Sequence, residues 1–133
     1  MTTGLPHMMV PVRDVAALRR AERHGALIAD VVRRTGAESL YLFADDDDGV
    51  TARMFDRETG VGEDPATGSA AGPLGVYLAE HGLAGMPGSV RIRQGEQVGR
   101  PSLLEVGVER RGDRWIAWVG GAVRQVGRGE FDL

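Results

Sequence analysis

Apolar positions along the chain fall into short runs separated by glycine, proline and acidic turns. Met8 to Val12 is an apolar run that predicts a strand, and Pro11 places it at a sheet edge or a strand end. Asp14 can cap a weak helical turn, with Val15 and Leu18 on one face. Leu27, Ile28, Val31 and Val32 recur at helical spacing, and Arg33, Arg34 and Gly36 close the segment, so a helix is expected over about 25–35. Ser39 to Ala44 reads as a strand buried on both faces, and Val50 to Phe55 as its hairpin partner. Residues 56–68 are polar and glycine-rich. A helix then runs to His81-Gly82, and four strands follow: Val90–Gln94, Leu103–Glu109, Arg114–Val119 and Ala122–Val126. The order β-α-β-β-α-β-β-β-β, with mostly antiparallel pairing, is an α+β arrangement.

At 133 residues the chain has the size of one domain, 1–133. Apolar residues make up 42% of it, enough for a core and too many for a disordered segment. No apolar run approaches the ~18 residues needed to cross a bilayer. The start has no charged region followed by an apolar stretch, so no signal peptide is expected. There are no cysteines, which removes disulfides, thiolate metal sites and thiol acid/base pairs. A cytoplasmic location is the default expectation. The net charge of −3, with arginines spread along the chain, argues against a nucleic-acid partner. The run Asp45 to Asp48, followed by Gly49, lacks the alternating ligands and late Glu of a calcium loop; a solvated hairpin turn is expected, and no metal. Twenty glycines point to many tight turns and a crowded contact.

The chemistry concentrates in Gly62-Glu63-Asp64-Pro65-Ala66-Thr67-Gly68-Ser69-Ala70-Ala71-Gly72. Asp64 precedes a proline, which pushes its backbone out of the helical region and leaves the carboxylate on an extended turn. Thr67, Gly68 and Ser69 then enter a helix whose first amides have no internal partners and favour an anion. Gly68 leaves room for approach, and Ser69 adds a hydroxyl. The segment thus offers an acid/base group beside a carboxylate- or phosphate-binding helix end. Asp and Thr ahead of a helix are also ordinary caps, which is the competing reading.

The helix itself carries small residues on two lines, Gly68, Gly72, Val76 and Ala71, Gly75, Ala79, with Leu74 and Leu78 on an apolar face. Small residues nearly all round predict a helix enclosed by a curled sheet. Pro73 leaves two possibilities: a regular helix starting near it with Gly72 as cap, or an irregular first turn.

The segment Glu63-Asp64-Pro65-Ala66-Thr67-Gly68-Ser69-Ala70 matches the signature of the PhzF-like isomerases and epimerases, the family named for phenazine biosynthesis. Arg53-Met54-Phe55 and Gly60-Val61 resemble the approach to that signature. Gln94-Gly95 with Gly99-Arg100-Pro101-Ser102 resembles a second family motif, Val119-Gly120-Gly121-Ala122-Val123 the last hairpin, and Thr3-Gly4-Leu5-Pro6-His7 the junction between two halves. The resemblance implies one half, the C-terminal one, of a diaminopimelate epimerase-like fold, a curled sheet wrapped around a central helix. It implies Asp64 and Ser69 as active-site residues, a substrate carboxylate held near Thr67, Gly68, Ser69 and Ala70, and Gln94 and Gly95 among the substrate-binding positions. The implied reaction is a cofactor-free proton shift on a small carboxylate-bearing metabolite. The family's acid/base glutamate and its helper histidine belong to the first half, which nothing here matches. His24 and His81 read as surface residues, and His7, near the junction, as more interesting. Removing and returning a proton takes more than one group, so completion by a homodimer partner or a separately encoded N-terminal half is expected. The alternative is a non-catalytic module that binds small carboxylates.

Overall fold

Strand β1 (His7–Pro11) lies at one edge of the sheet and pairs in parallel with β2 (Ser39–Asp46). Pro11 has no amide hydrogen, and an edge strand can spare that donor. The computed structural model describes residues 4–57, 62–83 and 88–130. Two helices, α1 (Val15–Arg20) and α2 (Gly25–Thr35), make the connection. Asp14 Oδ1 accepts from the Ala17 amide at 2.6 Å, which makes α1 a capped helix rather than the weak turn expected. The second helix has the expected bounds and stops at Gly36, whose φ of +72° closes it with an amide bond to the Val32 carbonyl.

The sheet continues from β2 into β3 (Gly49–Asp56) through the aspartate turn. Two of its four carboxylates are met internally: Asp46 accepts from Thr51 Oγ1 at 2.8 Å and pairs with Arg93, and Asp48 pairs with Arg91. Among the described residues no cluster of His, Cys, Asp or Glu could hold a metal ion. A short strand, β4 (Glu63–Asp64), pairs antiparallel with Met54 and Phe55 of β3. Two residues are too few to show a period, and this strand falls in the stretch expected to be loop.

Beyond β3 come β5 (Ser89–Gln94), parallel to it, then β6 (Ser102–Arg111) and β7 (Arg114–Gly121), both antiparallel to their predecessors. The sheet order is β1-β2-β3-β5-β6-β7, with β4 beside β3. One expected strand does not form. Residues 122–126 have no ladder partner and are exposed, because Gly120-Gly121 ends β7 instead of turning the chain back along it.

The sheet is covered on both faces. On one, α1 and α2 bury Leu18, Ile28 and Val32 against Leu42, Ala44 and Phe55. On the other, α3 (Gly68–His81) packs Ala71, Leu74 and Leu78 against Tyr41, Ile92 and Val106. A Cβ added at Gly75 would lie 2.6 Å from Val106 Cγ1 and 3.0 Å from Val108 Cγ1, so helix and sheet meet at van der Waals contact only because the position is glycine. Pro73 lies inside α3, which starts at Gly68 rather than near the proline. No helix among the described residues is long and apolar enough to cross a membrane.

Candidate active site

Asp64 is placed by its ladder partner on β3 and by its chain neighbour Glu63. Its backbone pairs with Met54 on β3, and Glu63 before it forms a two-pronged ion pair with Arg53, at 2.8 and 2.7 Å. That pair is nearly buried, with the side chains 8% and 11% exposed. Arg53 also donates to the carbonyls of Leu18 and Ala21 at 3.0 and 2.7 Å, at the C-terminal end of α1. The guanidinium therefore meets a carboxylate and the negative end of a helix together, and it ties β4 to the opposite layer.

On the carboxylate itself a directed chain of hydrogen bonds converges. Tyr41 Oη donates to Gln94 Oε1 at 2.8 Å, and the Thr67 amide donates to the same oxygen at 3.2 Å. Because a backbone N–H can only donate, that oxygen is the carboxamide's acceptor. Gln94 Nε2 then donates to the Asp64 carbonyl at 2.6 Å and to Thr67 Oγ1 at 2.9 Å. Thr67 Oγ1, already an acceptor, donates its own hydrogen to Asp64 Oδ2 at 2.8 Å. Thr67 sits at the N-cap of α3 yet makes no side-chain capping bond; its hydroxyl serves Asp64 instead. Burial pushes the Tyr41 phenol well above its ordinary range, and the Asp64 charge adds to that, so Tyr41 stays a donor.

Gln94 and Gly95 occupy a different place from the one expected of substrate contacts. The Gln94 side chain is 1% exposed, with both polar atoms committed inward. Gly95 is buried at φ +87°, and a Cβ there would lie 2.7 Å from the Pro65 carbonyl oxygen. Both residues hold the signature loop from behind.

At the start of α3 the amides divide. Those of Ala70 and Ala71 both donate to the Thr67 carbonyl, at 3.1 and 3.0 Å, so the expectation that Ala70 offers its amide to a ligand gives way to a closed first turn. The Gly68 amide makes no hydrogen bond among the described residues, and a Cβ at Gly68 would meet nothing within 4 Å. Gly68 is exposed and opens onto a groove of about 750 Å³ lined also by Ala66, Leu103 and Gly121. Ser69, on the next turn position, hydrogen-bonds His7 Nε2 at 3.0 Å, and His7 Nδ1 lies 2.7 Å from Ser39 Oγ. His7 thus joins the site from β1; only its nearness to the resembled junction marked it in the sequence. A smaller cavity of about 240 Å³ lies on the His7 and Ser39 side. Asp64 and Ser69 line neither cavity, and both are half-buried at the surface. His24 and His81 lie apart from the site, on exposed positions.

The profile of the phenazine biosynthesis-like proteins, PhzC-PhzF, matches residues 1–126. An uncharacterized isomerase of Deinococcus radiodurans is 40% identical over 119 residues, covering 85% of this chain and 38% of that protein. The trans-2,3-dihydro-3-hydroxyanthranilate isomerase of Pseudomonas aeruginosa is 35% identical over 111 residues, covering 84% and 38%. Among solved structures, one described as a predicted epimerase from Pseudomonas aeruginosa superposes with a TM-score of 0.74 at 39% identity, over 98% of this chain and 43% of its own. The chain therefore spans about two-fifths of the length of these relatives. The signature segment, the mixed curled sheet around α3 and these matches agree: the chain belongs to the phenazine biosynthesis-like PhzC-PhzF family, a family of isomerases with a diaminopimelate epimerase-like fold.

Proposed function

We propose that the chain is the C-terminal half of a PhzF-type isomerase or epimerase that moves a proton on a small carboxylate-bearing metabolite without a cofactor. Asp64 is the acid/base group. Gly68 and Ser69, at the start of α3, receive the substrate carboxylate, with Ser69 as hydroxyl donor. The observation that carries this reading is the chain Tyr41–Gln94–Thr67–Asp64, which aims one carboxylate beside the open end of a helix. A proton must leave and return, and Asp64 and Ser69 line neither of the cavities around the helix end. The second wall is supplied by an N-terminal half or by another copy of this chain, in the cytoplasm. With a second copy, two Asp64 carboxylates facing each other would split their proton affinities and give an acid beside a base.

The substrate named for the Pseudomonas relative, trans-2,3-dihydro-3-hydroxyanthranilate, is the first to assay. Solvent deuterium should enter substrate or product with the wild-type chain and not with Asp64→Asn. Incorporation by the variant at the wild-type rate removes Asp64 from the mechanism. A second reading, a carboxylate-binding module without turnover, draws on the two-fifths coverage of the relatives; carboxylate binding with no exchange at any concentration of the chain favours it.

A further inference from the structure

Thr67 is 5% exposed, and its hydroxyl oxygen meets two partners, Gln94 Nε2 at 2.9 Å and Asp64 Oδ2 at 2.8 Å. The first contact has a fixed direction. The Thr67 amide, which can only donate, holds Gln94 Oε1 as the acceptor end of the carboxamide, and the Tyr41 phenol donates to the same oxygen. Nε2 is therefore a donor, and Thr67 Oγ1 accepts from it. The hydroxyl keeps one hydrogen to give, and among the described residues Asp64 Oδ2 is the acceptor it meets. Asp64 Oδ1 accepts no hydrogen bond from any described residue.

The two oxygens of this carboxylate are thus unequal. A proton on Oδ2 would point at Thr67 Oγ1 and push the threonine's own hydrogen out of its bond, with no other acceptor among the described residues. A buried donor stranded in that way costs about tenfold or more in population. A proton on Oδ1 disturbs none of these bonds. Nor does the chain lead a proton inward: passing one from Asp64 to Tyr41 would require the Gln94 carboxamide to reverse, and the Thr67 amide holds it in place.

We infer that Thr67 is a positioning residue that makes Asp64 a one-oxygen acid/base: Oδ2 is kept as an acceptor, and the proton enters and leaves through Oδ1. The reacting oxygen is chosen before any substrate arrives, because Thr67, Gln94 and Tyr41 are buried and their side-chain polar atoms are satisfied by one another and by Asp64. The catalytic consequence rests on the reading of Asp64 as the acid/base group; the placement of the hydrogens does not.

Neutron diffraction from crystals of the full chain exchanged into heavy water tests the placement. The Thr67 hydroxyl deuteron should lie on the line to Asp64 Oδ2, and one Gln94 Nε2 deuteron should point at Thr67 Oγ1. In crystals soaked to a pD at which the carboxyl is deuterated, its deuteron should stand on Oδ1. A reversed carboxamide, or a carboxyl deuteron on Oδ2, overturns the inference. Solvent-deuterium incorporation tests the consequence. Thr67→Val should lower kcat about tenfold with KM unmoved, the scale of one lost hydrogen bond to a charged group felt in the transition state. Thr67→Ser, which restores the hydroxyl, should recover most of that loss. Equal losses in the two variants, or a wild-type rate in Thr67→Val, overturn the positioning role. A wild-type rate in Asp64→Asn instead sinks the acid/base reading itself, and the positioning role with it.

Discussion

Replacing Gln94 by leucine separates two roles that the residue could have. Leucine nearly fills the same volume, so little cavity cost enters. What changes is the hydrogen-bond count. Gln94 makes four bonds, at 2.6–3.2 Å, to Tyr41, Asp64 and Thr67. Two of its partners are donors that would be left buried, the Tyr41 hydroxyl and the Thr67 amide, and both residues are within 5% of full burial. A stranded buried donor costs about 1–3 kcal/mol. The Asp64 carbonyl and Thr67 hydroxyl each lose a donor as well. The expected destabilisation is about 3–5 kcal/mol, a large share of the ~5–15 kcal/mol that holds a domain folded. Tyr41→Phe removes one stranded group in advance, so the double variant should cost less than the sum of the singles. Urea unfolding followed by fluorescence of Trp115 and Trp118 on β7 measures all three. A loss below about 1 kcal/mol in Gln94→Leu, with additive behaviour in the double, would refute the organising role and restore Gln94 to the substrate-contacting surface.

The Arg53–Glu63 pair should behave as a buried one: Glu63→Ala strands the guanidinium and is expected to cost about 3–5 kcal/mol in the same assay, whereas a cost below about 1 kcal/mol would class it with exposed pairs. His7 also gives a pH signature. Its folded pKa lies below the ordinary value of ~6.5, so the unfolded chain takes up the proton first. The stability tied to His7 is complete above about pH 6.5 and falls as the pH drops below it. Glu38, which pairs with Arg57, works against the shift, and Asp56 lines the same cavity. His7→Gln should flatten the loss of urea midpoint between pH 7.5 and 5.5; an unchanged slope would show that His7 is not the group responsible.

Local patterns carried most of the fold. The α2 helix has the expected bounds because its apolar spacing, terminal arginines and Gly36 all lie within one segment. The doubly buried β2 is legible for the same reason. Failures arose where a partner decides. Residues 122–126 follow a glycine pair that resembles a hairpin turn, but a strand exists only with a ladder beside it, and β7 is the last one. The two residues of β4 are a strand solely because β3 runs past them.

The same division holds at the site. The signature segment carried the resemblance to the family, and its proline, glycine and helix-entry chemistry, which act between near neighbours, offered a carboxylate beside a helix end. Only the tertiary structure decided that Gln94 faces inward, that the Ala70 amide is spent on its own first turn, and that His7 meets Ser69 from 62 residues away. Hydrogen-bond partners across such separations are set by how the layers pack, and no local sequence pattern records that packing.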